Sequence, residues 1–321
     1  MADTTNISKN ISNVLEVRGL CKDYALTSDK PNTKKHKPNP NAFAVKDVSF
    51  TLPEGYIMGF VGPNGAGKTT VIKLLLQIKR RDAGSVVLFG KENAELQNNQ
   101  NNHNNHNAHI GVVLDSPHFP TEWTLNEVEQ GLSPFYTEWN QEQYANCLRQ
   151  FGLDAEKKVR HLSRGMQVKL QIAVALSHNA KLLILDEPTS GLDPVARDEI
   201  CDLIRDFVED GKKSVLFSTH ITSDLEKIAD YMTIIQDRRI RYTGTKDELM
   251  EKYVRVIGGI NDIDATHEPL IIGLRKLSTG FEGMIETANI KLLPKSVLQE
   301  PINLEEIVVF MYREGKRDES T

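Results

Sequence analysis

The sequence predicts an α/β fold in which a mainly parallel sheet is covered by helices. Short apolar runs alternate with helical patterns between Met58 and Ile235, and this alternation is typical of βαβ units. The runs YIMGFVG, KLLILDE and SVLFSTH have the length and apolar content of strands. A chain of 321 residues, of which 39% are hydrophobic, is long enough for about two domains and a buried core.

Apolar spacing predicts the helices that follow these strands. Two groups of apolar residues, one after the first strand and one before Gly211, keep the i, i+3, i+4 spacing of a helix face. The groups are Val71, Leu74, Leu75 and Ile78, and Ile200, Leu203, Ile204, Phe207 and Val208. The letters TLNE, Thr124 to Glu127, predict a capping box that opens a separate helical stretch running in pieces to about Leu153.

Two low-complexity segments interrupt this order, and at about Lys246 the pattern changes to a small mixed α/β tail. SDKPNTKKHKPNPN, from Ser28 to Asn41, is basic and proline-rich, and QNNQNNHNNHNAH, from Gln97 to His109, is rich in asparagine. Both predict exposed, solvated loops, although the histidines of the second could in principle present a metal site. We expect a nucleotide-binding domain over 1–245 with a helical subdomain over about 116–178, and a small α/β domain over 246–321.

Composition excludes several classes of protein. A net charge of -5 gives no electrostatic reason to expect nucleic acid as a partner. Three scattered cysteines predict free thiols in a reducing compartment rather than disulfides or a metal site. No secretion signal is evident at the start, and no apolar run approaches the roughly 18 residues that a membrane span needs. We therefore expect a soluble, cytoplasmic protein whose membrane-spanning partner, if any, is another chain.

The letters GPNGAGKTT predict a phosphate-binding loop between the first strand and its helix. Glycines let successive N–H groups point inward, and the helix N-terminus adds its positive dipole end. Lys68 would reach the β- and γ-phosphates of a nucleoside triphosphate, and Thr69 would place its hydroxyl on Mg²⁺. The predicted loop consists of Gly62, Pro63, Asn64, Gly65, Ala66, Gly67, Lys68, Thr69 and Thr70.

Two adjacent carboxylates end the strand LLILDE. Asp186 is placed to hold Mg²⁺, and Glu187 beside it can polarise the attacking water as a general base. A surface acidic pair is the alternative, but a buried strand end is an expensive place for unpaired charges. His220 ends the strand SVLFSTH and can donate to the γ-phosphate while it contacts the water-polarising carboxylate. We therefore predict catalytic roles for Lys68, Glu187 and His220.

The segment from Val14 to about Thr245 resembles the ATP-binding subunits of ABC transporters. Five elements carry the resemblance in the family's order: GPNGAGKTT, LSRGMQ, LLILDEP, SGLD and His220. This resemblance implies a P-loop domain of ABC type, with a mixed sheet core, an antiparallel β part and a helical subdomain, and ATP and Mg²⁺ as cofactors. LSRGMQVKL and FSTHITSDLEKIADY look in detail like a bacterial exporter-type subgroup, the Ytr-type ATPases.

The resemblance also implies roles that the residues alone do not. Tyr24 matches the aromatic residue that stacks on adenine, although the basic insertion after it could displace the ring. Two chains of the family bury two ATP molecules in a head-to-tail dimer, each ATP held by one chain's phosphate loop and the other's LSGGQ motif. Asp193 of SGLD would contact the partner subunit in such a homodimer or heterodimer.

Asp115 is the first of two departures from the family pattern. It stands where the family usually has a glutamine that touches Mg²⁺. A carboxylate can still coordinate the metal, but it adds negative charge near the phosphates. The alternative is a loop aspartate with no metal role.

The second departure lies in LSRGMQ, where Arg164 replaces the first glycine of LSGGQ and Met166 the glutamine. Ser163 still supplies the hydroxyl of the motif. Gly165 still lets a γ-phosphate approach the helix N-terminus closely. We expect Arg164 to turn outward or toward a phosphate, and Met166 to lose a contact worth about 1 kcal/mol. The motif is predicted to remain a working ATP clamp, with a degenerate site as the alternative.

Three functions are compatible with this resemblance. The first is an ATP hydrolase on the inner face of the cell membrane that drives a separate permease, for export of a small molecule or peptide. The second is a soluble ABC-type ATPase acting on nucleic acid or ribosomes; such proteins usually carry two ATPase units or a long coiled coil, and this acidic chain shows neither. The third is an ATP-binding regulator without turnover.

Overall fold

The computed structural model describes residues 12–24, 44–92, 106–115 and 119–318. The basic segment from Ser28 to Asn41 lies outside these residues, as does the asparagine-rich segment before residue 106. Only the last four residues of the second segment are described, as a 3₁₀ turn over His106–His109.

An antiparallel sheet of four strands forms the first layer. Its spatial order is β2-β1-β4-β5. The strands are β1 (Asn13–Asp23), β2 (Ala44–Pro53), β4 (Ala83–Leu88) and β5 (Lys91–Glu92). Apolar residues such as Leu15, Val17 and Val86 are buried on it while Glu16 and Arg18 form an ion pair at the surface, as expected for a sheet with one face on a core.

A mixed sheet of six strands forms the centre, in the order β10-β9-β3-β8-β7-β6. All neighbouring strands are parallel except β9 and β10, so the predicted mainly parallel sheet is confirmed. The strands are β3 (Ile57–Val61), β6 (Ile110–Val113), β7 (Leu182–Asp186), β8 (Ser214–Thr219), β9 (Tyr231–Gln236) and β10 (Arg239–Thr245). Since β3, β8 and β7 are parallel neighbours, their carboxyl ends meet at one edge, where ligands of such sheets bind.

Successive residues of the central strands enter two different cores. In β3, Ile57 and Val61 belong to the core shared with most of the helices, and Met58 and Phe60 belong to the core under the antiparallel sheet. The rings of Phe50 and Phe60 stack there with centroids 5.4 Å apart. Burial on both faces explains why these strands read as continuous apolar runs.

The helices largely follow the predicted pattern, with one correction. They are α1 (Lys68–Leu75), α2 (Leu125–Leu132), α3 (Gln141–Gln150), α4 (Arg164–Ser177), α5 (Pro194–Val208), α6 (Thr222–Ile228), α7 (Lys246–Lys252) and α8 (Leu304–Asp318). The capping box at Thr124 and Glu127 is confirmed. The prediction that Ile78 continues α1 is wrong: Gln77 has a φ of 57°, which turns the chain, and Ile78 is 56% exposed.

The residues after Thr245 add a third sheet, which is antiparallel in the order β12-β13-β11-β14. Its strands are β11 (Tyr253–Gly258), β12 (Ile272–Leu277), β13 (Gly280–Glu286) and β14 (Leu298–Glu300). The following helix α8 places Ile307 and Phe310 in the same core as Leu225 of α6. The Leu304 N–H also donates to a Glu226 carboxylate oxygen at 2.9 Å. The boundary between two domains at residue 245 stays a prediction.

In the part of the chain that the structure describes, no helix is both long and apolar enough to cross a membrane.

Candidate functional site

The predicted phosphate loop connects β3 to α1 and adopts backbone angles that require glycine. Gly65 and Gly67 have φ values of 82° and 114°, which are costly for residues with a Cβ. A Cβ on Gly62 would lie 2.2 Å from the Ile235 carbonyl oxygen, so the loop also packs tightly on β9. Buried Lys68 donates from its Nζ to the Gly62 carbonyl oxygen at 2.6 Å. The loop is thus preformed around the lysine that is predicted to bind phosphate.

Asp186 is buried at the carboxyl end of β7. The Ser218 hydroxyl donates to Asp186 Oδ1 at 3.2 Å, and Thr69 forms a second side-chain hydrogen bond to this carboxylate. Burial raises the pKa of Asp186, and the charge of neighbouring Glu187 raises it further. The two hydrogen bonds lower the pKa but do not cancel this rise. Hydroxyl and carboxylate oxygens side by side are the hard ligands that Mg²⁺ prefers, so Thr69 and Asp186 fit the predicted metal role.

Glu187 lies between two cationic or potentially cationic groups. Its Oε1 is 3.2 Å from Lys68 Nζ, and its Oε2 is 2.7 Å from His220 Nδ1. The Glu187 backbone has a φ of 53° and donates its N–H to the Ser218 carbonyl oxygen at 2.9 Å. A positive φ at a non-glycine residue costs about 1–3 kcal/mol and is typical of functional sites. This turn aims the carboxylate into the site rather than along the strand.

A cavity of about 390 Å³ brings most of the predicted residues together. Its lining combines the phosphate loop, the carboxylate after β7 and the histidine after β8, and it adds Asp115 from the loop after β6. The lining residues are Pro63, Asn64, Gly65, Gly67, Lys68, Thr69, Thr70, Asp115, Glu187, Ser190 and His220. The arrangement can bind a polyphosphate with the loop and polarise a water with a carboxylate.

Tyr24 is not among the residues that line this cavity. Its ring lies at the end of β1, with the ammonium groups of Lys22 and Lys79 at 5.8 Å and 5.5 Å from the ring centroid. These distances are within cation–π range. The predicted stacking of Tyr24 on adenine therefore stays a prediction.

Ser163, Gly165 and Asp193 also lie outside the cavity of their own chain. Ser163 caps α4 by accepting the Met166 N–H at 3.3 Å, and Asp193 caps α5 by accepting two backbone N–H groups at 3.0 Å. The backbone hydrogen bond from Ala196 lowers the pKa of Asp193. The two predicted partner-facing motifs are thus helix N-termini whose side chains hold the first turn.

Arg164 forms an ion pair with Asp115 of the same chain, and its side chain is 44% exposed. The two departures from the family pattern are therefore in direct contact, which spacing along the sequence gives no means to foresee. The expectation that Arg164 turns outward or toward a phosphate stays a prediction.

Gln171 is a residue that the sequence reasoning missed. It is buried on α4, where its Oε1 accepts the Leu114 N–H at 3.0 Å and its Nε2 donates to the Leu114 carbonyl oxygen at 3.4 Å. A buried amide must find such partners. The signal was a polar residue between Leu170 and the apolar run from Ile172 to Leu176.

The raised pKa of Asp186 predicts that this residue costs folding free energy at neutral pH. A carboxyl whose pKa is higher in the folded state than in the unfolded state favours folding when protonated, and loses that contribution as pH rises through its folded pKa. Asp186→Asn should therefore raise the Tm of the nucleotide-free chain at pH 7, on the order of 2 °C, while hydrolysis of MgATP is lost. The gain in Tm should shrink toward pH 4.

Thermal unfolding followed by circular dichroism at pH 4, 5, 6 and 7 checks this result. Asp206→Asn, at an exposed position of α5, is the matched control and should leave Tm unchanged. A lower Tm for Asp186→Asn at pH 7 would show that the ionised carboxylate stabilises the empty site.

Comparison with known proteins gives one family. The family model described as ABC transporter matches residues 45–190. The ABC transporter ATP-binding protein YtrB of Bacillus subtilis is 27% identical over 285 residues, which cover 85% of this chain and 94% of YtrB. The bacitracin transport ATP-binding protein BcrA of Enterococcus faecalis is 31% identical over 229 residues, covering 70% of this chain and 67% of BcrA.

A solved structure of the ATP-binding subunit of an ABC transporter resembles this fold. Its TM-score is 0.60 at 25% sequence identity, and the match covers 74% of this chain and 91% of that chain.

Proposed function

Because the chain belongs to the ABC transporter family and is an ATPase of the ABC type, we propose that it powers a separate membrane permease that exports a small molecule or peptide. The observation that carries the ATPase part is the contact of Glu187 with both Lys68 and His220 at the mouth of the phosphate loop. A candidate general base (Glu187), a phosphate-binding lysine (Lys68) and a histidine that can donate to phosphate (His220) are thus in contact beside the phosphate loop.

The residues of this site suggest the following division of labour. Loop N–H groups and Lys68 bind the β- and γ-phosphates of ATP. Thr69, Asp186 and Asp115 would hold Mg²⁺, which would supply charge neutralisation of the phosphates. When Lys68 binds the γ-phosphate, its ion pair with Glu187 is broken. The Oε1 of Glu187 can then accept a proton from the attacking water. His220 keeps the other oxygen of Glu187 in place through Nδ1 and leaves Nε2 free to donate to the γ-phosphate.

A second ATPase chain is part of this proposal. Ser163, Gly165 and Asp193 do not reach the cavity of their own chain, so their proposed nucleotide contacts require a partner copy. Val195, the second residue of α5, has an exposed apolar side chain (69%) at the helix end that Asp193 caps. Exposed apolar surface beside two helix N-termini is compatible with a dimer face. Both a homodimer and a heterodimer satisfy this arrangement.

The helical stretch offers a surface for the permease. Phe135 is 79% exposed and Trp123 is 37% exposed, and large exposed aromatic residues are typical of protein contacts. A chain anchored in this way would lie on the inner face of the cell membrane. Similarity to YtrB supports a Ytr-type subgroup, and similarity to BcrA, named for bacitracin transport, supports a small molecule or peptide as cargo.

The permease part is tested by purification of the tagged full-length chain from its native membranes in mild detergent. An integral membrane protein should co-purify in a fixed ratio, and Phe135→Ser with Trp123→Ser should reduce its recovery. Ile260→Ser, which changes an exposed residue (62%) after β11, is the control and should retain the membrane protein. Recovery of ribosomes or nucleic acid in place of a membrane protein would contradict the proposal and favour a soluble ABC-type ATPase.

A further inference from the structure

The two residues that depart from the ABC pattern form a pair. Arg164 occupies the first glycine position of LSGGQ, and Asp115 occupies the usual glutamine position after β6. They are 49 residues apart in the chain, yet an Nη2 hydrogen of Arg164 is donated to Asp115 Oδ1. Both charged residues are unusual for the family, and they contact each other across two loops. We therefore expect a change of one residue to alter what the other does.

The path of the Arg164 side chain connects three loops of one subunit. A Cβ built on Gly191 would lie 3.6 Å from both Cδ and Nε of Arg164, so the side chain passes over the SGLD turn. From there the guanidinium reaches Asp115, which lines the cavity together with Lys68 and Glu187. Arg164 therefore touches the nucleotide site of its own chain, although its motif is expected to serve the partner's ATP.

Helix α4 holds the same segment at a second point. Gln171, about two helical turns beyond Arg164, forms two hydrogen bonds with the backbone of Leu114. Leu114 directly precedes Asp115. Because Gln171 is buried and Arg164 is fixed at the helix start, the helix determines where the Asp115 carboxylate lies relative to the cavity.

Charge explains why the pair would influence nucleotide binding. Asp115, Asp186 and Glu187 are three carboxylates at or beside one cavity that is expected to receive a polyanionic triphosphate. Like charges that share one site repel, and an ion pair reduces that repulsion. The guanidinium offsets the charge of Asp115, but it also occupies one of the two carboxylate oxygens that could bind a metal ion.

We propose that Arg164 is a positioning residue that holds Asp115, so that it favours entry of metal-free ATP and competes with Mg²⁺ for that carboxylate. This inference rests on the proposed metal-side role of Asp115. It predicts two effects of opposite sign when Arg164 is removed: weaker binding of ATP without metal, and a lower Mg²⁺ requirement once ATP is bound. Loss of a residue that only maintains the fold would weaken the binding of ATP and of Mg²⁺ alike.

The test measures binding of the fluorescent analogue TNP-ATP to the purified full-length chain in EDTA, followed by titration with Mg²⁺. Arg164→Met should weaken binding in EDTA by about 3- to 5-fold, the upper range for an exposed ion pair, and should lower the Mg²⁺ concentration for half saturation by a similar factor. Both changes should disappear when Arg164→Met is made in a chain that already carries Asp115→Asn, with the Asp115→Asn chain as the reference. Arg205→Met, which breaks an exposed ion pair on α5, is the matched control and should change neither value.

Two results would overturn the inference: an Arg164→Met effect of the same size when Asp115 is already asparagine, or changes of metal-free affinity and Mg²⁺ requirement that both weaken binding. Arg164→Lys, which keeps the charge, should behave more like the wild type than Arg164→Met and serves if the methionine variant does not fold. Neither hydrolysis nor a permease is needed for this measurement, so failure of the export proposal would leave its outcome unaffected.

Discussion

Glu187→Gln is expected to lower ATP turnover by about 10²- to 10⁴-fold, the usual contribution of a general base, with nucleotide affinity within a few-fold of the wild type. The amide keeps the shape of Glu187 and can still contact His220, but it cannot accept the proton of the attacking water. Bound ATP should therefore persist, and with it an ATP-stabilised dimer. Phosphate release at saturating MgATP and light scattering in MgATP or MgADP measure the two effects.

Glu209→Gln, an exposed change just beyond α5, is the control for the first prediction and should leave turnover at the wild-type value. Turnover of Glu187→Gln within about threefold of the wild type would be too small a loss for a general base. In that case another group would have to accept the proton, and the strained backbone of Glu187 would need a different explanation.

Lys68→Ala should weaken ATP binding by about 10- to 100-fold, which corresponds to the 1.5–3 kcal/mol typical of hydrogen bonds to charged groups, and should abolish measurable hydrolysis. The buried ammonium is held at the mouth of the loop by the Gly62 carbonyl oxygen and lies 3.2 Å from Glu187. Its removal takes away the cation for the phosphates and leaves Glu187 without its partner. Equilibrium binding of TNP-ATP and phosphate release provide the two measurements.

Lys212→Ala removes an exposed lysine before β8 and should bind and hydrolyse ATP normally. Hydrolysis that survives Lys68→Ala would exclude this cavity as the site of the reaction. Binding that is normal in Lys68→Ala while hydrolysis is lost would instead assign Lys68 to the transition state alone.

Short continuous motifs made much of the site predictable from the sequence. GPNGAGKTT combines a turn and a helix start with the phosphate-binding side chains, and LLILDEP combines a strand, a turn and the reacting carboxylates. Parallel strands bring such ends to one edge of a sheet. The structure accordingly places Lys68, Glu187 and His220 around one cavity. Local rules were less reliable at helix ends: Ile78 has the right spacing for α1, but the positive φ of Gln77 ends the helical path before it.

Contacts between distant residues were not predictable in the same way. The pairing of Arg164 with Asp115, and the hydrogen bonds of Gln171 to Leu114, depend on how α4 packs against the end of β6. Apolar spacing determines which face of α4 is buried but not its position along the strand. The sharing of one core by α8 and α6 likewise depends on tertiary packing, so the sequence pattern alone suggested a more separate tail.

The most direct test of the central claim is phosphate release by the chain purified together with its membrane partner, compared with the same complex carrying Glu187→Gln. The wild-type complex should release phosphate at a rate that saturates with MgATP, and the variant complex should retain about 1% of that rate or less. Equal rates in the two complexes, or no ATP-dependent release from the wild type, would contradict the assignment of this chain as the ATP-hydrolysing subunit of a transporter.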